Sequence, residues 1–229
     1  MDDLLANFDL YLKAFGLTVS LFVVSGVVSL VFGALLASLR VGPVSVLARA
    51  VSLYVTIVRN TPLLMIFIFI AVAGPRLGYT FKSIEDLSVG DWSVSAFFFR
   101  SCVALSLYTS AFVCEAFRSG INAVPLGQAE AARAIGLTFS GAMRQVILPR
   151  AMRAAVPPLV SVQIALLKNT SVAAVFGMVE ATARMKFFSN RNADEQELIF
   201  VTFALGYVVL VEILSFAGSR LERRWAVAR

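Results

Sequence analysis

The sequence contains no histidine, and only 15% of its 229 residues are charged. Without histidine, the chain cannot build histidine metal sites or histidine proton relays. A soluble domain usually carries about 25% charged residues, whereas 59% of this chain is hydrophobic. The composition therefore predicts an integral membrane protein, which we expect to form a single domain over residues 1–229.

Cysteine is scarce, and a nucleotide-binding loop is missing. Cys102 and Cys114 lie on one predicted helix, about 18 Å apart, so they cannot bond to each other within it. We interpret both as packing residues. The chain has no glycine-rich loop ending in Gly-Lys-Ser or Gly-Lys-Thr, so it cannot hydrolyse ATP by the usual route. We therefore predict that it is not an enzyme and has no catalytic residue, no metal site and no cofactor of its own.

Long apolar runs predict an all-α protein with five transmembrane helices. The first run has no charged residue across 26 positions, which is enough for one tilted crossing of the bilayer. It follows an acidic amino terminus, whereas a signal peptide begins with basic residues, so we interpret it as an uncleaved membrane helix. The predicted spans cover residues 14–39, 44–73, 96–116, 151–179 and 198–219.

Two of the predicted spans contain polar interruptions. In the second span, Thr61 and Pro62 form a good helix start, which predicts a kink or a restart. In the fourth span, the segment from Lys168 to Ser171 predicts a break or bend near Lys168. Each interruption can leave backbone N–H groups free at mid-membrane depth, where the N-terminus of a half-helix favours an anion such as a carboxylate.

Four ionisable residues fall within or near the apolar spans, namely Arg59, Glu115, Lys168 and Glu212. Such residues cost roughly 2.5–3.5 kcal/mol on insertion scales, so they usually face a bundle interior or a water-filled path. Structural pairing is the alternative, for instance of Glu115 with Arg59 or with Arg118. We predict a substrate path that includes Arg59, Thr61, Glu115, Lys168, Asn169, Thr170 and Ser171.

The basic residues are distributed unevenly between the two predicted sides of the membrane. One side holds eleven arginines against only Glu130 and Glu222, whereas the other holds ten acidic and seven basic residues. Because basic residues collect in cytoplasmic loops, we expect the amino terminus outside and the carboxyl terminus in the cytoplasm. This orientation places the polar stretch over residues 119–149 in the cytoplasm.

The centre of this polar stretch reads as two short helices around a turn. The segment from Gln128 to Ile135 contains four alanines and no helix breaker, so it favours helix. Gly136 stands where a left-handed C-terminal cap is expected. Thr138 or Ser140 can cap the next helix, which we expect Pro149 to limit.

The residues of this stretch match the EAA signature of ABC importer membrane subunits, in the order Glu130, Ala131, Ala132, Gly136, Val146, Leu148 and Pro149. Val146 replaces the usual isoleucine. The stretch resembles the coupling helix that docks into the ATP-hydrolysing subunit. The resemblance implies that these residues, apart from Val146, couple the protein to that subunit. From the helix pattern alone, an ordinary cytosolic loop helix is the alternative.

Three further segments resemble the permeases of polar amino acid importers, and most closely those of actinobacterial glutamate importers. They are YVTIVRNTPLL at 54–64, FVCEAFRSGINAVPLGQ at 112–128 and LLKNTSVAAVFGMVEA at 166–181. Asn60 replaces the glycine usual in the first segment, and Phe112 replaces a common tyrosine in the second. The resemblance implies a type I ABC importer-like fold in a bacterial plasma membrane.

The resemblance also implies partners. These are membrane lipid, an ATPase dimer that binds ATP and Mg²⁺, an external substrate-binding protein and a second permease subunit. We expect that subunit to be a different chain, with a homodimer as the alternative, and we expect no nucleic-acid partner. An ion-gradient-driven carrier is a rival function, as is a membrane anchor without transport. Glutamate is the expected substrate, and glutamine stays open because the basic residues could bind the α-carboxylate of any amino acid.

The orientation leads to a labelling experiment on intact cells with a membrane-impermeant thiol reagent. We expect the variant Asp3→Cys to be labelled from outside and Val227→Cys to be protected until the membrane is opened, because the charge distribution places these positions on opposite sides. Labelling of Val227→Cys from outside would contradict the arrangement of five spans.

Overall fold

The structure, a computed structural model, describes residues 6–79, 88–89, 92–93 and 95–225, with side chains for 6–79 and 95–225. Part of the charge pattern that predicts the orientation therefore lies outside the described residues. This part comprises Asp2, Asp3, Lys82, Glu85, Asp86, Asp91 and Arg229, and the labelling position Val227 lies there too.

Helices account for almost all of the described chain. In chain order they are α1 (Phe8–Val41), α2 (Ser45–Asn60), α3 (Leu63–Ile68), α4 (Ala96–Asn122), α5 (Leu126–Ala134), α6 (Phe139–Ala142), α7 (Leu148–Asn169), α8 (Ala181–Arg191) and α9 (Gln196–Trp225). Short π-helical, 3₁₀ and α-helical turns extend α3, α6, α7 and α9, at Phe69–Ala73, Gly74–Arg76, Met143–Ile147, Thr170–Phe176 and Ala193–Glu195. Two short strands, β1 (Ser88–Val89) and β2 (Trp92–Ser93), pair antiparallel.

Four helical stretches are long and apolar enough to cross a membrane, and a bent pair supplies a fifth span. The four are Phe8–Val41, Ala96–Asn122, Phe139–Phe176 and Ala193–Trp225, and the pair joins Ser45–Asn60 to Leu63–Arg76 at an angle of 105°. The prediction of an all-α membrane protein with five spans is thereby confirmed. The second span is strongly bent rather than straight.

Pro62 explains this bend. A proline disfavours helical backbone at the preceding residue, and Thr61 is accordingly extended, with φ −99° and ψ 129°. The Thr61 hydroxyl donates a hydrogen bond to the Ile57 carbonyl at 2.8 Å, which closes the end of α2. Helix α3 then begins directly after Pro62, as the Thr61–Pro62 pair predicts.

The fourth predicted span shows two differences from its prediction. Pro149 does not limit the helix that Thr138 begins, because a π-helical turn over Met143–Ile147 joins α6 to α7 and leaves the proline in the first turn of α7. In a π-helical turn the backbone hydrogen bonds join residues five apart instead of four. The chain therefore stays helical through Pro149, which has no N–H to donate.

The predicted break near Lys168 is likewise not found. Helix α7 tightens after Asn169 into a 3₁₀ helix that ends at Gly177, whose φ is +88°. The hydroxyl of Thr170 donates to the Leu167 carbonyl at 2.7 Å, a local bond that favours the tighter turn. The Thr170 N–H bonds to carbonyls of the preceding turn, so no half-helix N-terminus opens here.

The core lies where α1, α4 and α7 approach one another closely at small residues. A methyl group on Gly33 of α1 would lie 2.5 Å from the Val113 Cβ and 2.9 Å from the Ser110 carbonyl oxygen of α4. Further along α4, Gly120 lies directly against Ala151 and Ala155 of α7. Small residues let membrane helices pack in this way, with van der Waals contact as the main attraction.

The close approach at Gly120 leads to a prediction about stability. The added methyl of Gly120→Ala would lie 2.8 Å from the Ala155 Cβ, and we expect this overpacking to destabilise the fold by about 1–3 kcal/mol. The melting temperature of the purified protein in detergent should fall. Gly127→Ala is the matched control, because its methyl would meet nothing within 4 Å; its melting temperature should be unchanged or slightly higher. An unchanged value for Gly120→Ala would contradict the close packing.

Candidate functional site

Helix α5 ends in a Schellman motif built on Gly136. The Leu137 N–H bonds to the Ala132 carbonyl at 3.1 Å, and the Gly136 N–H bonds to the Arg133 carbonyl at 2.9 Å. Gly136 has a φ of +84°, in the left-handed region that the sequence predicts for it. Thr138 then caps α6, accepting a hydrogen bond from the Gly141 N–H at 3.2 Å. The two short helices around a turn are therefore present.

The signature residues of α5 divide between two faces of the helix. Glu130, Ala131 and Gly136 are exposed, whereas Ala132 is only 3% exposed. Ala132 therefore packs inside this chain and supports α5 from behind, so it is not available for direct contact with a partner. The sequence signature did not distinguish these two roles.

Three large apolar side chains on and near α5 are exposed, and none of them was among the predicted coupling residues. Leu126 is 81% exposed, Ile135 79% and Phe139 62%. Their exposure, next to Glu130 and Ala131, gives this end of the protein an apolar surface of the kind that partner proteins cover.

The last two signature residues lie apart from α5. Leu148 and Pro149 begin α7 and line a cavity together with Arg224 and Trp225 from the end of α9. The signature therefore covers two places in the fold, the coupling helix and the first turn of the following long helix.

Glu115 is the centre of a cluster of charges between α1, α2 and α4. It accepts hydrogen bonds from the Arg40 Nη1 at 2.6 Å and from the Arg118 Nε at 2.8 Å. The Arg59 Nη1 lies 3.4 Å from the same oxygen that Arg40 contacts. Both pairings considered from the sequence are present, and Arg40 is an additional partner, 75 residues away, that no local pattern indicated.

Arg59 is the most loosely held member of this cluster. Its side chain is 45% exposed, against 16% for Arg40, and its guanidinium lies 5.6 Å from the centre of the Phe112 ring. Three arginines and one glutamate leave the cluster with surplus positive charge. Thr61 follows Arg59 at the bend, but its hydroxyl is bonded to the backbone.

Lys168 and Ser171 line a cavity of about 500 Å³ against α8 and α9. Its other polar lining residues are Thr182, Tyr207 and Glu212. Among the described residues, neither Lys168 nor Glu212 forms a salt bridge, and both side chains are exposed. The cavity therefore presents one positive and one negative charge that have no salt-bridge partner among the described side chains.

The predicted path residues are divided among several environments. Thr170 is fully buried, and its hydroxyl is bonded to a carbonyl, so it does not line the cavity; Asn169 is half-buried. Arg59 and Glu115 belong to the charge cluster and are not among the residues that line the cavity. The cavity at Lys168 therefore does not include Arg59.

Glu180 is a buried carboxylate that the sequence analysis placed in an external loop. It caps α8 by accepting hydrogen bonds from the Thr182 and Ala183 N–H groups, and it also accepts from the Tyr207 and Thr18 hydroxyls. Burial raises the pKa of Glu180, while these hydrogen bonds oppose the rise. The residue joins α8 to α1 and α9, and no sequence signal identified it because its partners lie 162 and 27 residues away.

Within the part of the chain that the structure describes, no group of acidic or cysteine side chains could hold a metal ion.

A family model described as the binding-protein-dependent transport system inner membrane component matches residues 29–227. The glutamate transport system permease protein GluC of Corynebacterium glutamicum is 38% identical over 219 residues, which cover 95% of each chain. The probable glutamine ABC transporter permease protein GlnP of Bacillus subtilis is 34% identical over 213 residues, 91% of each chain. A crystal structure of an amino acid ABC transporter with histidines superposes with a TM-score of 0.84, at 26% identity, over 97% of each chain.

These findings agree with the resemblance drawn from the sequence and favour it over an ion-gradient-driven carrier. They also agree with the structure, which has the type I importer fold with its coupling helix between the third and fourth spans. Proteins of this kind are transport subunits and not enzymes. The chain belongs to the inner membrane components of binding-protein-dependent transport systems.

Proposed function

We propose that the protein is the permease subunit of an ATP-driven importer whose substrate is glutamate. The observation that carries the proposal is the 38% identity over 95% of each chain to glutamate transport permeases of two Corynebacterium species. A glutamate/aspartate import permease of Escherichia coli, 32% identical over 217 residues, points to the same substrate class. Glutamine is the second candidate, because GlnP is 34% identical.

The proposed complex contains three further kinds of protein. An ATPase dimer in the cytoplasm binds ATP and Mg²⁺, and a substrate-binding protein delivers the amino acid from outside. A second permease chain, different from this one, completes the path, with a homodimer as the alternative. The protein lies in the bacterial plasma membrane with its amino terminus outside. Within the long helices, the membrane-embedded parts are the five predicted spans, and residues 1–229 form one domain.

We assign Lys168, Asn169 and Ser171 to the proposed translocation path. The cavity of about 500 Å³ is in the range of small-molecule sites. An amino acid carries both charges, so its α-carboxylate suits Lys168 and its α-ammonium suits Glu212. Charges left exposed to lipid are costly, which supports a path or a partner subunit facing this cavity. Thr170 supports the path indirectly, because its hydroxyl bonds to the Leu167 carbonyl and does not contact the substrate.

Arg59, Thr61 and Glu115 form the other proposed part of the path. The surplus positive charge around Glu115 favours an anion, and glutamate carries a net negative charge. Arg59 is the most exposed arginine of the cluster and lies farthest from Glu115, at 3.4 Å. It can therefore release Glu115 and bind a substrate carboxylate with the least disruption of the cluster. Arg40 and Arg118 then keep Glu115 paired.

The proposed coupling to the ATPase uses the exposed surface of α5. Glu130, Ala131 and Gly136 face outward, and Ala132 fixes the helix to the rest of the chain. Leu148 and Pro149 contribute from the point where the π-helical turn passes into α7. Because α6, the π-helical turn and α7 form one continuous helix, a displacement of α5 and α6 would be passed directly to Lys168.

Uptake measurements test the proposed substrate. The complete importer, reconstituted in vesicles with its binding protein, should accumulate labelled glutamate when ATP is supplied inside. An excess of unlabelled glutamate should compete strongly, and an excess of glutamine should compete weakly. Accumulation of glutamine alone would make glutamine the substrate, and uptake without the ATPase would contradict the proposal as a whole.

Replacement of Gly136 tests the coupling helix. A β-branched residue at φ +84° costs roughly 1–2 kcal/mol of backbone strain, so Gly136→Val should disturb the end of α5. We expect a loss of assembly or of transport-linked ATPase activity while membrane insertion survives. Gly136→Asn is the control, because asparagine tolerates this backbone region, and it should retain most of the activity. Normal coupling in Gly136→Val would argue against the assignment.

Removal of the charge at Lys168 tests the path. Hydrogen bonds to charged groups contribute about 1.5–3 kcal/mol, so Lys168→Met should lower uptake by roughly 10-fold to 100-fold while the complex assembles and the binding protein still loads. Lys186→Met is the matched control, because Lys186 is also exposed but does not line the cavity.

The two explanations of Lys168 predict different results. A structural role predicts that assembly and uptake fall together in Lys168→Met. Normal uptake in a fully assembled variant would refute the assignment to the path. A similar loss of uptake in Lys186→Met would show that removal of any exposed lysine charge in this region lowers uptake, whether or not the lysine lines the cavity.

A further inference from the structure

Helices α7 and α9 cross closely near the carboxyl end of the chain. At the crossing, Gly218 of α9 lies directly against the Val160 side chain of α7. Trp225 follows Gly218 by seven residues in α9, and Arg153 precedes Val160 by seven residues in α7. Both therefore lie about 10 Å from the crossing. These two residues line two adjacent cavities, of about 850 and 480 Å³, and the larger one is also lined by Ala123, Val124, Pro125 and Gln128 at the junction of α4 and α5. We call the two cavities together the terminal groove.

The terminal groove carries excess positive charge. Arg150, Arg153 and Arg224 line it and are exposed. Glu222 is the acidic residue in its lining. Over the described residues, none of these four forms a salt bridge. Three arginines against one glutamate leave a net charge of +2, so the groove favours an anion.

One side of the terminal groove is apolar. Leu148 is 44% exposed and Met152 36%, and both line the smaller cavity beside Arg153 and Arg224. Trp225 lies between the two cavities, and tryptophan is enriched at the boundary between lipid and water. An occupant should therefore combine a negative charge with a hydrophobic part.

We propose that the terminal groove binds the phosphate headgroup of an anionic phospholipid. The arginine guanidinium binds phosphate oxygens through paired hydrogen bonds, and Arg153 is placed to reach the phosphate from between the two cavities. Acyl chains lie along Leu148 and Met152. Basic pockets between membrane helices at the cytoplasmic surface bind acidic lipid headgroups in this manner.

Phosphate alone would satisfy the arginines but not the apolar side of the groove. A peptide of the ATPase could also bring an acidic group, but the groove lies within about two helical turns of the span ends at residues 151 and 219, at the depth of lipid headgroups. Arginines whose only role is to orient the chain in the membrane could lie anywhere near the cytoplasmic surface. Arg150 and Arg153 of α7 and Arg224 of α9 instead line the same groove.

The test uses the complete importer, purified with its ATPase subunits and examined by native mass spectrometry with added lipid. Phosphatidylglycerol should bind more tightly than phosphatidylcholine. Each of Arg153→Gln and Arg224→Gln should weaken phosphatidylglycerol binding by about fivefold. Arg223→Gln is the matched control, because Arg223 is the exposed neighbour of Arg224 and does not line the groove; it should bind as the wild type does.

Three outcomes would overturn the proposal. One is equal phosphatidylglycerol binding by the wild type and both groove variants. A second is displacement of the lipid by inorganic phosphate at equal concentration, which would identify a site for free phosphate. The third is loss of the ATPase from the groove variants with lipid binding unchanged, which would identify an ATPase contact. None of these measurements involves the transported substrate, so their failure is separate from that of the proposed function.

Discussion

The close approach of helix backbones at small residues is the constraint on which the rest of this structure depends. In lipid, helices gain little from hydrophobic burial against one another, so contact area and short separations hold them together. Gly33 and Gly120 let α4 lie directly against α1 and α7. The buried hydroxyl of Ser110 on α4 donates to the Leu107 carbonyl of its own helix, as that of Ser29 does to the Gly26 carbonyl on α1. The central helix α4 can therefore carry polar residues without exposing them to lipid.

The same dense core determines where charge is tolerated. Glu115 projects from α4 and is stabilised because Arg40, Arg59 and Arg118 reach it from three directions. Lys168, at the edge of the bundle, has no such partner among the described side chains. Charges such as that of Glu115 inside the bundle are thus satisfied within the chain. Those at its edge need water, substrate, lipid or another subunit, so the edge is where partners and ligands are expected.

Helix continuity connects the two ends of the protein. Prolines at 62 and 149 have opposite effects, because the first follows an extended residue and bends the chain, whereas the second follows a π-helical turn and leaves it helical. As a result α6 and α7 act as one long helix from the coupling surface to the cavity at Lys168. Beyond the far end of this helix, Glu180 joins α8 to α1 and α9 through its buried hydrogen bonds.

The sequence by itself determined the elements whose causes are local. Apolar runs specify membrane helices, Pro62 specifies a bend, and Gly136 specifies a left-handed helix end, because each depends on a residue and its immediate neighbours. Tertiary structure alone decided that Ala132 faces inward, that Arg40 pairs with Glu115, and that the helix continues past Lys168. Burial and ion pairing depend on residues far away in the chain. The segment from Lys168 to Ser171 could either break the helix or continue it, and the sequence pattern alone does not show that the Thr170 hydroxyl will bond to a carbonyl of its own helix.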